Sequence, residues 1–99
     1  MKVYLDDTRS TPEGWIRTYW PEETIALLER GGITELSLDH DLGDDGRGTG
    51  YDVLTWLERR IFDNAAFPLP KIYIHSANPV GVLRMRNLVA RLEEMKKNG

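Results

Sequence analysis

The chain contains no cysteine, and this absence removes several kinds of chemistry at once. Without thiols there is no disulfide bond, no thiol nucleophile and no cysteine-bound zinc. Long apolar runs are missing too, since no stretch approaches the ~20 residues that a membrane-spanning helix needs. Asp6 and Asp7 also come before a signal-peptide apolar region could form. We therefore expect a cytoplasmic protein without a membrane partner.

An excess of positive charge is also absent. The 99 residues include 13 Lys and Arg against 16 Asp and Glu, which gives a net charge of −3. Bulk DNA binding normally needs a basic surface and is therefore disfavoured. A small phosphorylated ligand or an RNA end, held by a few local donors, is compatible with this charge. The length suits a single domain over residues 1–99, and the oligomeric state is left open.

Short apolar runs alternate with helical patterns along the chain. Strands are predicted at 2–5, at 35–39, where polar and apolar residues alternate, and at 71–75, which is rich in β-branched and aromatic residues. Residues 15–20 are compatible with either a short edge strand or an irregular loop. This order predicts an α/β fold, with a small, mainly parallel sheet of three or four strands flanked by three helices.

The ends of the three helices carry recognisable signals. The first helix begins at Pro21 and ends at the glycines 31–32. The second opens at Thr49, which an acid follows three residues later in a variant of the capping box. The third has Asn78 as its cap and a proline at its first position, and residues 96–99 are expected to fray. The last two helices have apolar faces at helical spacing, formed by Val53, Leu54, Leu57 and Ile61 and by Met85, Leu88, Val89 and Leu92.

Polar residues follow each predicted strand. The three strand ends read Asp6-Asp7-Thr8-Arg9, Asp39-His40-Asp41 and His75-Ser76-Ala77-Asn78. Parallel strands bring their carboxyl ends to one edge of the sheet, where such sheets bind ligands. The two histidines of the chain both fall at this edge. The residues predicted to be catalytic are His40, His75, Asp39 and Asp41.

Donors for a phosphate are predicted beside these groups. The second and third helices begin near the strand ends, and free N–H groups at helix starts attract anions. The predicted phosphate-binding residues are Arg9, Ser76, Asn78 and Gly50, with Arg47 as a second candidate clamp. Most of these residues also have a structural explanation as turn or helix-entry residues. The coincidence of three polar strand ends, and not any single residue, favours a shared site.

Some of these residues resemble the response-regulator receiver domain: Leu5-Asp6-Asp7, the strand that ends at Asp39, and Ser76-Ala77. The resemblance implies Mg²⁺ at Asp6 and Asp7, with Asp39 beside them, a phosphoryl group accepted by Asp39, and a phosphoryl contact from Ser76. Two differences stand out. The lysine that follows the last receiver strand has no counterpart, and ordinary receivers lack the two histidines.

Longer strings are similar to the cyclic-phosphate-processing receiver-like domains. They are Leu5-Asp6-Asp7-Thr8-Arg9, Gly14-Trp15, Ser37-Leu38-Asp39-His40-Asp41-Leu42-Gly43, Thr49-Gly50-Tyr51-Asp52-Val53-Leu54 and Ile74-His75-Ser76-Ala77-Asn78-Pro79-Val80-Gly81. This resemblance covers nearly the whole chain. It implies a truncated flavodoxin- or receiver-like fold and a role on cyclic phosphates of nucleotides or RNA ends.

The leading hypothesis is hydrolysis of a cyclic phosphodiester, such as a cyclic nucleotide, a cyclic-ended RNA or an ADP-ribose cyclic phosphate. One imidazole removes a proton from water, the other protonates the leaving oxygen, and Asp39 or Asp41 orients a ring. Which histidine is the acid is left open. No cofactor is required, although Mg²⁺ at Asp6, Asp7 and Asp39 is an option. The alternatives are a Mg²⁺-dependent phosphoacceptor module, a non-catalytic nucleotide or phosphate binder and, more weakly, a zinc site.

Overall fold

Four parallel strands and three helices build the fold in a computed structural model, which describes residues 1–42 and 45–98. The strands lie in the order β2-β1-β3-β4, and every neighbouring pair is parallel. Their bounds are β1 Lys2–Leu5, β2 Ile16–Thr18, β3 Glu35–Leu38 and β4 Lys71–Ile74. The helices are α1 Pro21–Arg30, α2 Gly50–Asp63 and α3 Pro79–Asn98, and a 3₁₀ turn covers Asp45–Arg47.

The predicted α/β fold is therefore confirmed, with differences at element ends. The ambiguous segment 15–20 contains a true strand at 16–18, and the second and third predicted strands each end one residue early. The prediction that the tail frays from Lys96 is wrong for residues 96–98, which are helical. The Lys96 Nζ donates to the carbonyls of Ala65 and Phe67, and this ties the last turns of α3 to the loop after α2. Gly99 lies outside the described residues.

All three helices lie on one face of the sheet. The steps β2-α1-β3 and β3-α2-β4 both move across the sheet in the same direction, and right-handed crossovers then place α1 and α2 on the same side. Helix α3 packs against α2 and β4 on that side. The step from β1 to β2 moves the other way, so its short loop, residues 6–15, belongs to the opposite face.

Side-chain alternation separates the two faces of the sheet. Val3, Leu5, Leu36 and Leu38 are fully buried and form the core with apolar residues of the three helices. Tyr4, Ser37 and Tyr73 share one register row on the other face. This second face, which carries no helix among the described residues, is called the open face below.

The predicted helix starts are confirmed in detail. The Thr49 hydroxyl accepts from the Tyr51 N–H at 3.2 Å, and the Asp52 carboxylate accepts from the Thr49 N–H at 2.7 Å, which completes the capping box. Asn78 caps α3, because its Oδ1 accepts from the Gly81 N–H at 3.0 Å. Within the described ranges, no helix combines the length and the apolar character that crossing a membrane requires.

Candidate active site

The strand register brings three polar residues together at the carboxyl edge of the sheet. Leu5, Leu38 and Ile74 are aligned across β1, β3 and β4. The ladder continues one step further, since the Asp39 N–H donates to the Leu5 carbonyl and the His75 N–H donates to the Leu38 carbonyl, both at 3.0 Å. Asp6, Asp39 and His75 therefore follow three adjacent strands at the same level.

Asp6 is the most enclosed of these groups, with no exposed surface. Its Oδ1 accepts from the backbone N–H groups of Thr8, at 2.8 Å, and Arg9, at 3.0 Å. Its Oδ2 accepts from the Arg9 guanidinium at 2.9 Å and from His75 Nε2 at 3.0 Å. Burial alone would raise the pKa of Asp6, but the hydrogen bonds from Arg9 and Thr8 outweigh it and lower the pKa from 3.8 to about 2. Asp6 is thus a carboxylate at neutral pH.

Arg9 joins two carboxylates at this edge. Its Nη1 lies 2.9 Å from Asp6 Oδ2 and 3.1 Å from Asp39 Oδ2. The side chain is 43% exposed, and its remaining N–H groups have no hydrogen-bond partner within the described part of the chain. These donors face solvent beside the carboxylates, as the predicted role of a phosphate clamp requires.

Asp39 differs from Asp6 in its electrostatics. Its pKa is raised, chiefly by burial and also by the neighbouring Asp6 charge. The nearby Ser76 hydroxyl and the Arg9 charge oppose the rise in this pKa.

Asp6, Asp7 and Asp39 form an acidic trio. One carboxylate oxygen of each lies within 4.8 Å of the others. Carboxylate oxygens are the ligands that Mg²⁺ prefers, and Mg²⁺ is usually held by one or two of them together with water and substrate phosphate. The donor set therefore fits a divalent cation.

His75 is held by a relay of side chains on the open face. Its ring stacks on Tyr4, with 4.3 Å between centroids and 2° between planes. Ser37 Oγ lies 2.6 Å from Nδ1, and Asp6 Oδ2 lies 3.0 Å from Nε2. Because burial lowers the pKa of His75, against the opposing charge of Asp6, the ring is neutral at pH 7. An ionised Asp6 only accepts, so the Nε2–H donates to it and the Ser37 hydroxyl donates to Nδ1.

His40 is arranged differently. Its Nδ1 lies 2.8 Å from Asp41 Oδ1, and the hydrogen bond from His40 lowers the pKa of Asp41. Asp41 is therefore ionised, and Nδ1 donates to it, so that Nε2 is the lone-pair nitrogen in the neutral form of the ring. Nε2 has no hydrogen-bond partner among residues 1–42 and 45–98. The ring rests on Gly81 of α3, where a methyl group would come within 2.6 Å of it.

The expectation that both imidazoles face one hollow is wrong. His75 stacks on the open face and His40 packs below α3, so the rings occupy opposite sides of the sheet edge. The reason is side-chain alternation. His75 is aligned with Asp39 and shares its face of the sheet, whereas His40 comes one residue after Asp39 and points to the other face. Contacts nevertheless connect the two sides. The Asn78 N–H donates to Ser76 Oγ at 3.1 Å, and Asn78 Nδ2 donates to Asp41 at 3.4 Å.

Two predicted phosphate donors have other partners. The Gly50 N–H donates to the His40 carbonyl at 3.3 Å, so it is not available to a phosphate. A Cβ at Gly50 would lie 2.0 Å from the Asp39 carbonyl oxygen, which shows that glycine serves the close approach of α2 to β3. Arg47 pairs with Glu22 and covers the Trp20 ring at 3.9 Å, so it lies against the start of α1.

Three residues of the site were not predicted. Ser37 and Tyr4 each lie two positions before a site aspartate, so strand alternation places them on the same face and could have identified them. Gly81 is different. The only signal in the sequence is a glycine in the first turn of a predicted helix, which can indicate close packing against another side chain. These three residues position the two rings.

One comparison with known proteins gave a match. The family model for the cyclic-phosphate processing receiver domain matches residues 1–91. The chain belongs to this family. No curated protein and no solved structure matched it. The cyclic-phosphate-processing receiver fold is thus assigned both by the match and by the four-stranded parallel sheet.

Two surface cavities of this receiver domain lie away from the acidic trio. One, of about 380 Å³, lies between the start of β4 and α3, and another, of about 390 Å³, lies between α2 and the end of α3. Neither includes a residue of the candidate site. The residues of the candidate active site therefore lie at an open edge of the sheet and not in either cavity.

The depressed pKa of Asp6 predicts acid-sensitive stability in the metal-free protein. The ionised carboxylate stabilises the folded state above the ordinary pKa of 3.8, and this contribution is lost as the pH falls through about 2. The shift corresponds to about 2 kcal/mol. Urea unfolding in EDTA across this range should show a loss in the wild type that is smaller in Asp6→Asn by about 2 kcal/mol. The exposed Glu93→Gln variant is the control, and an Asp6→Asn protein as acid-sensitive as the wild type would contradict the assignment.

Proposed function

We propose that this cyclic-phosphate-processing receiver domain hydrolyses a cyclic phosphodiester, with His40 as the general base. The substrate class comprises cyclic nucleotides, cyclic-ended RNA and ADP-ribose cyclic phosphate, encountered in the cytoplasm. Asp41 orients the base, and Arg9 and Ser76 bind phosphate oxygens. The observation that carries this proposal is the Asp41–His40 pair, whose Nε2 has no hydrogen-bond partner among the described residues, at the sheet edge that also carries the acidic trio. Asn78 contacts both Asp41 and Ser76 at this edge.

The reaction adds one water across a P–O bond. His40 Nε2 takes a proton from the attacking water, whose oxygen forms a new bond to phosphorus. The bond from phosphorus to one ring oxygen breaks, and that oxygen takes a proton from solvent at the open edge. The product is a phosphomonoester beside a free hydroxyl. Arg9 stabilises the charge that accumulates on the phosphoryl oxygens, because its free N–H groups already point out beside Asp6 and Asp39.

Asp6, Asp7 and Asp39 would hold a divalent cation such as Mg²⁺. When bound, it supplies Lewis-acid polarisation of a phosphoryl oxygen. The hydrogen bonds from Arg9 and Thr8 keep Asp6 ionised, because they hold its pKa at about 2. Burial is the main cause of the raised pKa of Asp39, and a cation would relieve the further rise that the Asp6 charge causes.

His75 acts in this scheme as a positioning residue and not as the second acid. Both of its nitrogens already bind protein groups, Ser37 at Nδ1 and Asp6 at Nε2. It therefore fixes the orientation of the Asp6 carboxylate, while its own ring is held by stacking on Tyr4. This revises the hypothesis in which one histidine is the base and the other the acid, which required each ring to reach the substrate.

The direct test is turnover of a 2′,3′-cyclic mononucleotide, followed by chromatography of the phosphomonoester, with Mg²⁺ or with EDTA. We expect turnover that Asp39→Asn abolishes and that the control Glu93→Gln retains. Saturable binding without turnover would overturn hydrolysis in favour of a binding domain. Stable labelling of Asp39 by acetyl phosphate, without turnover, would favour the phosphoacceptor alternative. Equal turnover in EDTA would remove the role of the cation.

A further inference from the structure

The open face of the sheet carries aromatic rings paired with cations. Trp15, at the end of the β1–β2 loop, lies edge-on to Tyr4 at 6.3 Å and to Tyr73 at 6.2 Å between centroids. Trp15 therefore bridges β1 and β4, which are separated by β3. The loop replaces a crossover helix, so a single aromatic side chain covers part of a face that is otherwise open.

Three cations lie over these rings. Lys2 Nζ is 5.7 Å from the Trp15 centroid, and Lys71 Nζ is 5.3 Å from the Tyr73 centroid. The Arg17 guanidinium lies 5.9 Å from the Tyr4 ring and 5.0 Å from the Tyr19 ring. On this face Glu35 contacts Lys2 and accepts from the Tyr73 hydroxyl, and Asp6 and Asp39 lie at its carboxyl edge. Lys2 and Lys71 are the first residues of β1 and β4, so they place positive charge beside the rings at the end of the strands opposite to the acidic trio.

This aromatic face is continuous with the candidate active site. Trp15 contacts Tyr4, Tyr4 stacks on His75, and His75 binds Asp6 of the acidic trio. The cations extend from β2 to β4, a distance of three strand spacings or roughly 14 Å. This is wider than a single stacked nucleotide, which occupies roughly 3.4 Å along a strand.

We propose that the open face binds a short single-stranded RNA, whose 3′ end enters the site at the carboxyl edge. Bases stack on Trp15 and Tyr73, and Lys2, Arg17 and Lys71 neutralise phosphates, because open sheets with exposed aromatics bind single strands in this way. A peptide would bind by adding a strand to the edge of the sheet. The open face instead combines aromatic rings with cations, and this combination favours a nucleic acid. The inference rests on the proposed function and deepens it by naming the substrate class.

The test is fluorescence anisotropy of a labelled short oligouridine with a 3′-hydroxyl, which the proposed hydrolysis cannot consume. Three neutralised phosphates predict a 10- to 20-fold loss of affinity between about 50 and about 200 mM salt. Lys71→Glu is expected to weaken binding about tenfold and to flatten the salt dependence. The matched control is Arg86→Glu, an exposed arginine of α3 without an ion pair among the described residues. Equal losses in both variants, or no binding, would overturn the proposal.

Stacking is tested separately with Trp15→Phe and Trp15→Ala. Alanine is expected to lose at least fivefold in affinity and phenylalanine much less, because phenylalanine keeps a ring for the base. Sedimentation of the free protein tests whether a second copy of the chain covers the open face instead. A dimer in the wild type that becomes a monomer in Lys71→Glu would show this and would overturn the RNA proposal. The two proposals fail separately: binding without turnover of a cyclic-ended oligouridine defeats hydrolysis, whereas turnover of the mononucleotide without oligouridine binding defeats the RNA surface.

Discussion

Replacing His40 by Gln is expected to lower kcat/KM for cyclic-phosphate hydrolysis by about 10²- to 10⁴-fold, which is the usual contribution of a general base. Gln fills similar space and can donate to Asp41, but it has no lone-pair nitrogen at the position of Nε2. The ring is held by Asp41 and Gly81 near the sheet edge, so the substitution removes proton transfer with little change elsewhere. Steady-state kinetics with a cyclic mononucleotide, together with thermal unfolding, measures both effects.

The matched variant is His75→Gln. His75 binds Ser37 and Asp6 through its two nitrogens, so its loss is expected to act through the position of Asp6. We therefore expect a weaker affinity for Mg²⁺ and an activity that recovers at high Mg²⁺ concentration, whereas His40→Gln does not recover. An inactive His75→Gln beside a fully active His40→Gln would reverse the two roles.

The strand-end residues of this site could be found from the sequence because the physics involved is local. A short apolar run followed by an acid marks the end of a parallel strand, and parallel ends meet at one edge. That reasoning predicts the neighbourhood of Asp6, Asp39 and Ser76. It also predicts the helix caps at Thr49 and Asn78, because each depends on side chains only a few residues apart.

The separation of the two histidines required the register between strands. Register depends on the whole set of connections, and a change of one residue turns a side chain to the opposite face. His75 is level with Asp6 and Asp39, so it lies on the open face, whereas His40 is one step further and lies below α3. The handedness of the crossovers determines which face is open. The β1–β2 loop is too short to hold a helix that would cover it.

The Gly50→Ala substitution is expected to destabilise the fold strongly, by about 2–3 kcal/mol. Its Cβ would lie 2.0 Å from the backbone carbonyl oxygen of Asp39 and 3.0 Å from the Met85 side chain. A backbone oxygen directly after β3 cannot rotate away as a side chain can, because the Asp39 N–H is bonded to the Leu5 carbonyl. Relief therefore requires α2 to move off the sheet, which separates it from the core. Thermal unfolding should show a Tm lower by roughly 10–20 °C.

Gly81→Ala supplies the contrast, because the same added methyl group meets a different kind of neighbour. Its Cβ would approach His40 Cγ at 2.6 Å, and the His40 side chain can turn about its Cα–Cβ bond, as a backbone carbonyl cannot. Alanine also favours the helix by up to about 1 kcal/mol over glycine, so stability is expected to change little. The displaced ring is no longer held in its present position against Asp41, and hydrolysis should fall. A Gly50→Ala protein with a native Tm would mean that α2 can shift without cost. A Gly81→Ala protein with full turnover would mean that His40 is not the base.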